Sequence, residues 1–143
     1  MRHRVAKSSF GRSTKHRGAM LKNLVRGLFE QGEIEVTQAK GKEVKRWADK
    51  LLHKAQQNTL EARRELHQYF GKRDIVNTLV EKIAPTMSDR TSGFTTLQIL
   101  GKRRGDNALM VRLALVKKPA EMGSFANQEE KNQEKKTSKK KAK

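Results

Sequence analysis

The chain has 143 residues, with 33 lysines and arginines against 15 acidic residues and a net charge of +18, so a polyanion, above all nucleic acid, is the expected partner. Cysteine is absent, which excludes a disulfide framework and every thiolate metal site. The longest apolar stretch, Ala108 to Val116, is interrupted by Arg112 and falls far short of the roughly twenty residues of a bilayer span, so a soluble protein is expected.

Charge divides the chain into three parts. Residues 1–17 hold Arg2, Arg4, Lys7, Arg12, Lys15 and Arg17, together with His3 and His16, and no acid at all. Charge without internal partners is left for an external polyanion, and the segment reads as a basic N-terminal arm. A mitochondrial presequence shares this Arg- and Ser-rich composition, but Val5 and Phe10 are the only sizeable apolar residues in the arm. Residues 18–116 are apolar enough for a single globular domain with one core. Residues 117–143 form a tail whose nine basic residues are all lysine and whose only large apolar residues are Met122 and Phe125, a composition that stays disordered when free. Arginine bonds phosphate through a planar fork and lysine acts as a hydrated point charge, so the arm should bind in a defined place and the tail should add diffuse attraction.

Within the domain, Met20, Leu21, Leu24, Val25, Leu28 and Phe29 recur at helical spacing, with Ser13 or Thr14 as N-cap and Gly32 as the stop, giving a helix over about 14–31. Glu33, Ile34, Glu35 and Val36 alternate into a short strand that ends on Thr37. A long second helix follows, with Val44, Trp47, Ala48, Leu51, Leu52 and Ala55 on one stripe and Lys40, Lys42, Lys45, Lys50 and Lys54 around it; Gly41 weakens its first turns slightly. Leu60, Arg63, Leu66 and Phe70 mark a third helix ending at Gly71, and Ile75, Val76, Leu79, Val80 and Ile83 a fourth that Pro85 should stop. The period then changes to two. Phe94 to Leu100 and Ala108 to Val116 read as a hairpin whose tip, Gly101 to Asn107, carries Lys102, Arg103 and Arg104. The order helix, strand, three helices, two strands suits an α+β fold, a two-layer sandwich of a small sheet under helices.

The four histidines are scattered, and no spacing among them resembles a metal site. His53 and His67 belong on polar or boundary helix faces, whereas His3 and His16 are equally suited to RNA contact and to plain solvation. No nucleophile elbow, carboxylate pair, P-loop or dinucleotide loop is visible, so no enzyme activity and no cofactor are implied. The hairpin tip can press three cations against a phosphate ridge. Trp47 and the Tyr69-Phe70 pair could stack on unpaired bases, but their place on apolar stripes favours core packing. A DNA-compacting architectural protein is the competing class; the short hairpin connection and the lack of a helix-turn-helix pattern argue against it. An RNA-modifying enzyme would need a catalytic constellation that is missing.

Three ordered runs carry a resemblance: His16-Arg17-Gly18-Ala19-Met20-Leu21-Lys22-Asn23-Leu24; Ile34-Glu35-Val36-Thr37-Gln38-Ala39-Lys40-Gly41-Lys42-Glu43-Val44; and Ile83-Ala84-Pro85 through Asp89-Arg90 to Gly93-Phe94-Thr95, with Gly105-Asp106-Asn107-Ala108. Together they resemble the bacterial-type ribosomal protein seventeen of the large subunit, over essentially residues 1–116. The resemblance implies a non-enzymatic, cytoplasmic, ribosome-bound constituent of that subunit. Its expected partners are the large ribosomal RNA and neighbouring proteins including the thirty-second, toward the peptide-exit side. By carry-over Arg2, His3, Arg4, Arg12, His16 and Arg17 match the family's basic arm, Lys22 and Asn23 its first helix, Lys40 and Lys42 its second, and Arg90, Arg103 and Arg104 its hairpin region. Lys7, Lys15 and Lys102 lie among them, and RNA contact is expected at all of these residues. The chain departs from the family pattern at Thr86, Met87, Ser92, Thr96 and Leu109, and its lysine-rich tail lies outside the shared core.

Overall fold

The computed structural model describes residues 8–119 and runs α1 (Thr14–Gln31), β1 (Glu33–Thr37), α2 (Gln38–Gln57), α3 (Leu60–Phe70), α4 (Arg73–Asn77), a π-helical turn (Thr78–Ile83), α5 (Ala84–Thr86), β2 (Thr95–Lys102) and β3 (Leu109–Leu115). The order read from periodicity is the order observed. Residues 1–7 and 120–143, and with them most of the expectation for the tail, lie outside the described residues. Ser13 stands at the N-cap of α1, and the last four residues of the arm form that helix's first turn. Gly32 and Gly71 end α1 and α3 at φ 80° and 71°, a left-handed conformation that costs glycine no Cβ clash. Their amides bond the Leu28 and His67 carbonyls at 2.8 and 2.7 Å.

The buried stripes are largely those the spacing marked, but Trp47 of α2 and Leu60 of α3 stay exposed. Leu21, Val25, Leu28 and Phe29 of α1 meet Val44, Ala48, Leu51, Leu52 and Ala55 of α2, and Leu66 and Phe70 of α3 close over them. Trp47 does not join this cluster. It is 39% exposed, because it lies at the edge of the α2 stripe where α3 covers only part of the helix. Its indole stacks on half-buried Tyr69, with ring centres 5.7 Å apart and planes 20° apart, and Lys50 Nζ stands 5.8 Å from the indole centre. The core-packing expectation therefore holds for Phe70 and fails for Trp47.

The three strands form an antiparallel sheet in the order β1-β3-β2. Register sets Val36 beside Val111 and Ile34 beside Leu113, and alternation sends these residues to one face, under α1 and α2. On the other face Glu35 lies opposite Arg112, and the two make a 2.9 Å ion pair. A bulge between Ile99 and Gly101 turns the β2 edge, and Ile99 and Leu100 are exposed there.

Gly41 is the point of closest approach between helix and sheet. A Cβ built there would stand 2.7 Å from Val111 Cγ2, 3.4 Å from Leu97 Cδ1 and 3.5 Å from Val36 Cγ2. Alanine would gain about 1 kcal/mol of helix propensity. The stiff, fully buried valine cannot swing aside, however, and overpacking costs about 1–3 kcal/mol. Gly41→Ala is expected to destabilise the fold by up to about 2 kcal/mol in urea unfolding; a stabilised variant would show that the helix does not sit this close to β3.

Pro85 does not stop the fourth helix, which continues through α5 to Thr86. A proline ring clashes with the carbonyl four residues earlier in a regular helix. Here the preceding turn is π-helical, with the Ala84 amide bonding the Leu79 carbonyl five residues back, and the extra residue in the turn relieves that clash. Beyond it Met87 is fully buried, and Gln56 Nε2 of α2 donates to the Met87 and Arg90 carbonyls at 2.8 and 3.0 Å. The start of β2 is tied to the same helix, since Thr95 Oγ1 donates to Asp49 at 3.2 Å. Burial pushes the Asp49 carboxyl above its ordinary range, with the Thr95 bond partly opposing the shift.

Candidate nucleic-acid interface

The sequence-predicted contact residues fall into three places, and Arg2, His3, Arg4 and Lys7 lie outside the described residues. The first place is the entry to α1. The chain turns at Phe10 and Gly11, both at positive φ, with the Arg12 amide bonding the Ser9 carbonyl at 3.2 Å. Phe10 packs against the core, so the end of the arm is anchored to the body. Arg12, Lys15, His16 and Asn23 are exposed, and Arg17 and Lys22 are half-buried. Lys22 reaches toward the α3–α4 junction, 3.9 Å from the position of a Cβ on Gly71.

The second place is the start of α2, where Lys42 is exposed and Lys40 half-buried. The third is the hairpin. Its tip is built around Asp106, whose carboxylate takes Arg103 Nε at 3.2 Å and Nη2 at 2.6 Å and also accepts the Ala108 amide at 3.2 Å. Arg103 is thus held against its own turn, and Lys102 and Arg104 are the tip cations left to face outward. Arg90 is also partly committed, donating to the Gly93 carbonyl at 3.3 Å with its Nε 3.9 Å from Asp89.

These bonds hold the Asp106 carboxyl at about 2, the Arg103 fork being the main cause. The depressed value means that the pairing is in place above the carboxyl's unfolded range and is lost as pH falls through about 2. The Asp106 carboxyl resonance is therefore expected to stay flat from pH 7 to pH 4 in a pH-resolved NMR titration; a midpoint near 4 would contradict this turn geometry.

Pairing separates the cations into two groups. Arg26, Arg46, Lys54, Arg63, Arg112, Lys117 and Lys118 pair with Glu30, Glu43, Glu65, Glu81, Glu35, Asp89 and Glu33 respectively. Two of them, Lys117 and Lys118, are the first residues of the tail segment, so its root is fixed to the body. Among the described residues no carboxylate lies within ion-pairing distance of Lys15, His16, Arg17, Lys22, Lys40, Lys42, Lys102 or Arg104. Pattern reading did not single out the cations of the α3–α4 junction, Arg64 and Arg73, which share this property.

The sequence signature of the family described as Ribosomal protein L17 matches residues 20–116. The chain belongs to the ribosomal protein L17 family. It is 49% identical over 106 residues to the large ribosomal subunit protein bL17 of Finegoldia magna, covering 74% of this chain and 81% of the relative. It is 40% identical over 116 residues to the bL17 of Gemmatimonas aurantiaca, covering 81% of this chain and 98% of the relative. L17 proteins are structural and non-enzymatic. The L17 match takes in Lys22, the start of α2 and the whole hairpin, and it begins after Arg12, Lys15, His16 and Arg17. No helix among the described residues is long and apolar enough to cross a membrane.

Proposed function

We propose that the chain is a structural constituent of the large ribosomal subunit that binds large-subunit ribosomal RNA, with the arm, the first turns of α1, the start of α2 and the hairpin tip as its contacts. The observation that carries this reading is the division of the cations. Most carboxylates of the body are matched by a cation, whereas Lys15, Arg17, Lys22, Lys40, Lys42, Lys102 and Arg104 have none within ion-pairing distance among the described residues. Unpaired exposed cations gain free energy when phosphates displace their counterions. Arg2, His3, Arg4 and Lys7 extend the first place by sequence. That the relatives are large-subunit proteins supports large-subunit ribosomal RNA as the partner.

In this account the domain is a spacer with charged corners. Helices packed as one layer over the sheet, a two-layer sandwich, hold the α1 entry and the hairpin tip at a fixed separation, so RNA segments bound at each are fixed relative to one another. The arm's arginines bond phosphate through charge-assisted hydrogen bonds. We place the protein toward the peptide-exit side, ribosome-bound in the cytoplasm, beside other large-subunit proteins including the thirty-second.

The test compares the full chain on large-subunit ribosomal RNA and on duplex DNA at matched salt. Preference for the structured RNA, with an affinity that falls about a thousandfold between 50 and 200 mM salt if some six phosphates are contacted, is the expected result. Equal or tighter binding to the duplex would favour a DNA-compacting role instead.

A further inference from the structure

A cleft of about 370 Å³ lies between α3 and α4, lined by Leu60, Arg63, Arg64 and His67 from the first helix and by Arg73 and Val76 from the second. The four α3 residues recur at i, i+3, i+4 and i+7, so they share one face, and it is not the face of Ala62, Leu66 and Phe70 that enters the core. This face reads Leu-Arg-Arg-His and holds no acidic residue.

The lining residues differ in what holds them. Arg63 is fixed in place, its Nε and Nη2 donating to Asn58 Oδ1 at 3.1 and 2.9 Å and its Nη1 standing 3.4 Å from Glu81. Arg64, His67 and Arg73 are exposed and meet no carboxylate within ion-pairing distance among the described residues. Leu60 is 65% exposed at the rim, and buried Val76 closes the floor. The cleft thus combines a cationic wall with an apolar ledge.

We infer that this cleft is a further polynucleotide site, in which Arg64 and Arg73 grip phosphodiester oxygens from two different helices while Leu60 receives the ribose or base. The inference rests on the ribosomal RNA reading and adds to it a contact face on α3 and α4 that neither the arm nor the hairpin provides. Guanidinium forks bond oxyanions bidentately. Arg64 and Arg73 line the cleft from two different helices, so their charges are separate points and not one cluster. That spacing suits a backbone with one charge per nucleotide better than it suits a single compact carboxylate. An apolar ledge beside the charges matches a ligand whose sugar and base adjoin each phosphate.

The experiment uses the full chain, wild type and R64Q/R73Q, bound to large-subunit ribosomal RNA. Neither arginine is buried or ion-paired, so thermal unfolding of the variant should match wild type. Ultraviolet crosslinking followed by peptide mass spectrometry is expected to show nucleotide adducts on the segment 60–77 of wild type and their loss in R64Q/R73Q, with adducts at the α1 entry and hairpin retained in both. The variant should also lose two phosphate contacts, so its decline in affinity between 50 and 200 mM salt should be smaller by about tenfold. Adducts at the α1 entry and hairpin of wild type but none on 60–77 would overturn the cleft assignment and leave the RNA reading standing. Crosslinks from the cleft to carboxylates of a neighbouring protein within the subunit, without nucleotide adducts, would overturn it too, in favour of an acidic protein partner. Absence of RNA adducts anywhere on the chain would remove both readings together.

Discussion

Phe29→Ala is expected to remove about 3–5 kcal/mol of unfolding free energy, measured by urea denaturation of the full chain. Phe29 is 1% exposed and sits where α1, α2 and α3 converge, its ring 6.0 Å from that of Phe70 in an edge-to-face arrangement at 67°. Truncation loses the transfer energy of the ring, leaves a cavity beside Phe70 that the helices cannot fully close, and removes an aromatic contact of about 0.5–1.5 kcal/mol. A domain of this size has about 5–15 kcal/mol in total, so roughly a fifth or more of its stability should disappear. Phe29→Leu retains most of the volume and should cost much less. A loss below about 1 kcal/mol for the alanine variant would mean that α1 is not packed against α2 and α3 as described.

The second large effect concerns RNA. Replacing Arg2, Arg4, Arg12 and Arg17 together by alanine should reduce the slope of log affinity against log salt by about three to four and weaken binding to large-subunit RNA by roughly a hundredfold or more near physiological salt. Substitution is a cleaner test than deletion. Removing residues 1–17 would also remove Phe10, which packs on the core, and the first turn of α1. The matched comparison is a chain whose tail lysines beyond Lys118 are changed to glutamine. The tail variant loses seven positive charges against four for the arm variant, so counting charge alone would predict the larger effect for the tail. Planar guanidinium forks on a segment anchored at Phe10 should bind in a defined geometry that the lysines do not match, so the arm variant should be the weaker one. A larger loss for the tail variant, in proportion to the charge removed, would show that both extensions act only through net charge.

Much of this architecture was legible because each element announced itself locally. The α1 and α2 stripes have helical period, Gly32 and Gly71 stand where left-handed caps are needed, and the change to period two after Gly93 marks the hairpin. What the sequence concealed depends on tertiary geometry. Trp47 fits its apolar stripe by spacing, yet exposure is decided by how far α3 extends across α2. Pro85 signals a stop in any regular helix, and only the widened turn before it lets the chain continue. Gly41 reads as a weak helix residue until β3 is placed 2.7 Å from its missing Cβ. The contact residues divide in the same way. Basic character was visible along the chain, but that Arg103 is bound to Asp106 while Arg104 faces outward, and that Arg64, His67 and Arg73 share a cleft, follow from folding and not from spacing.

The central claim is that this chain is built into the large ribosomal subunit through RNA contacts and is not a free nucleic-acid binder. Sedimentation of a lysate of the source cells through a sucrose gradient in high salt, with fractions probed for this chain, tests it most directly. The account predicts comigration with the large subunit in stoichiometric amount, surviving the wash. Recovery at the top of the gradient, or with DNA, would contradict it.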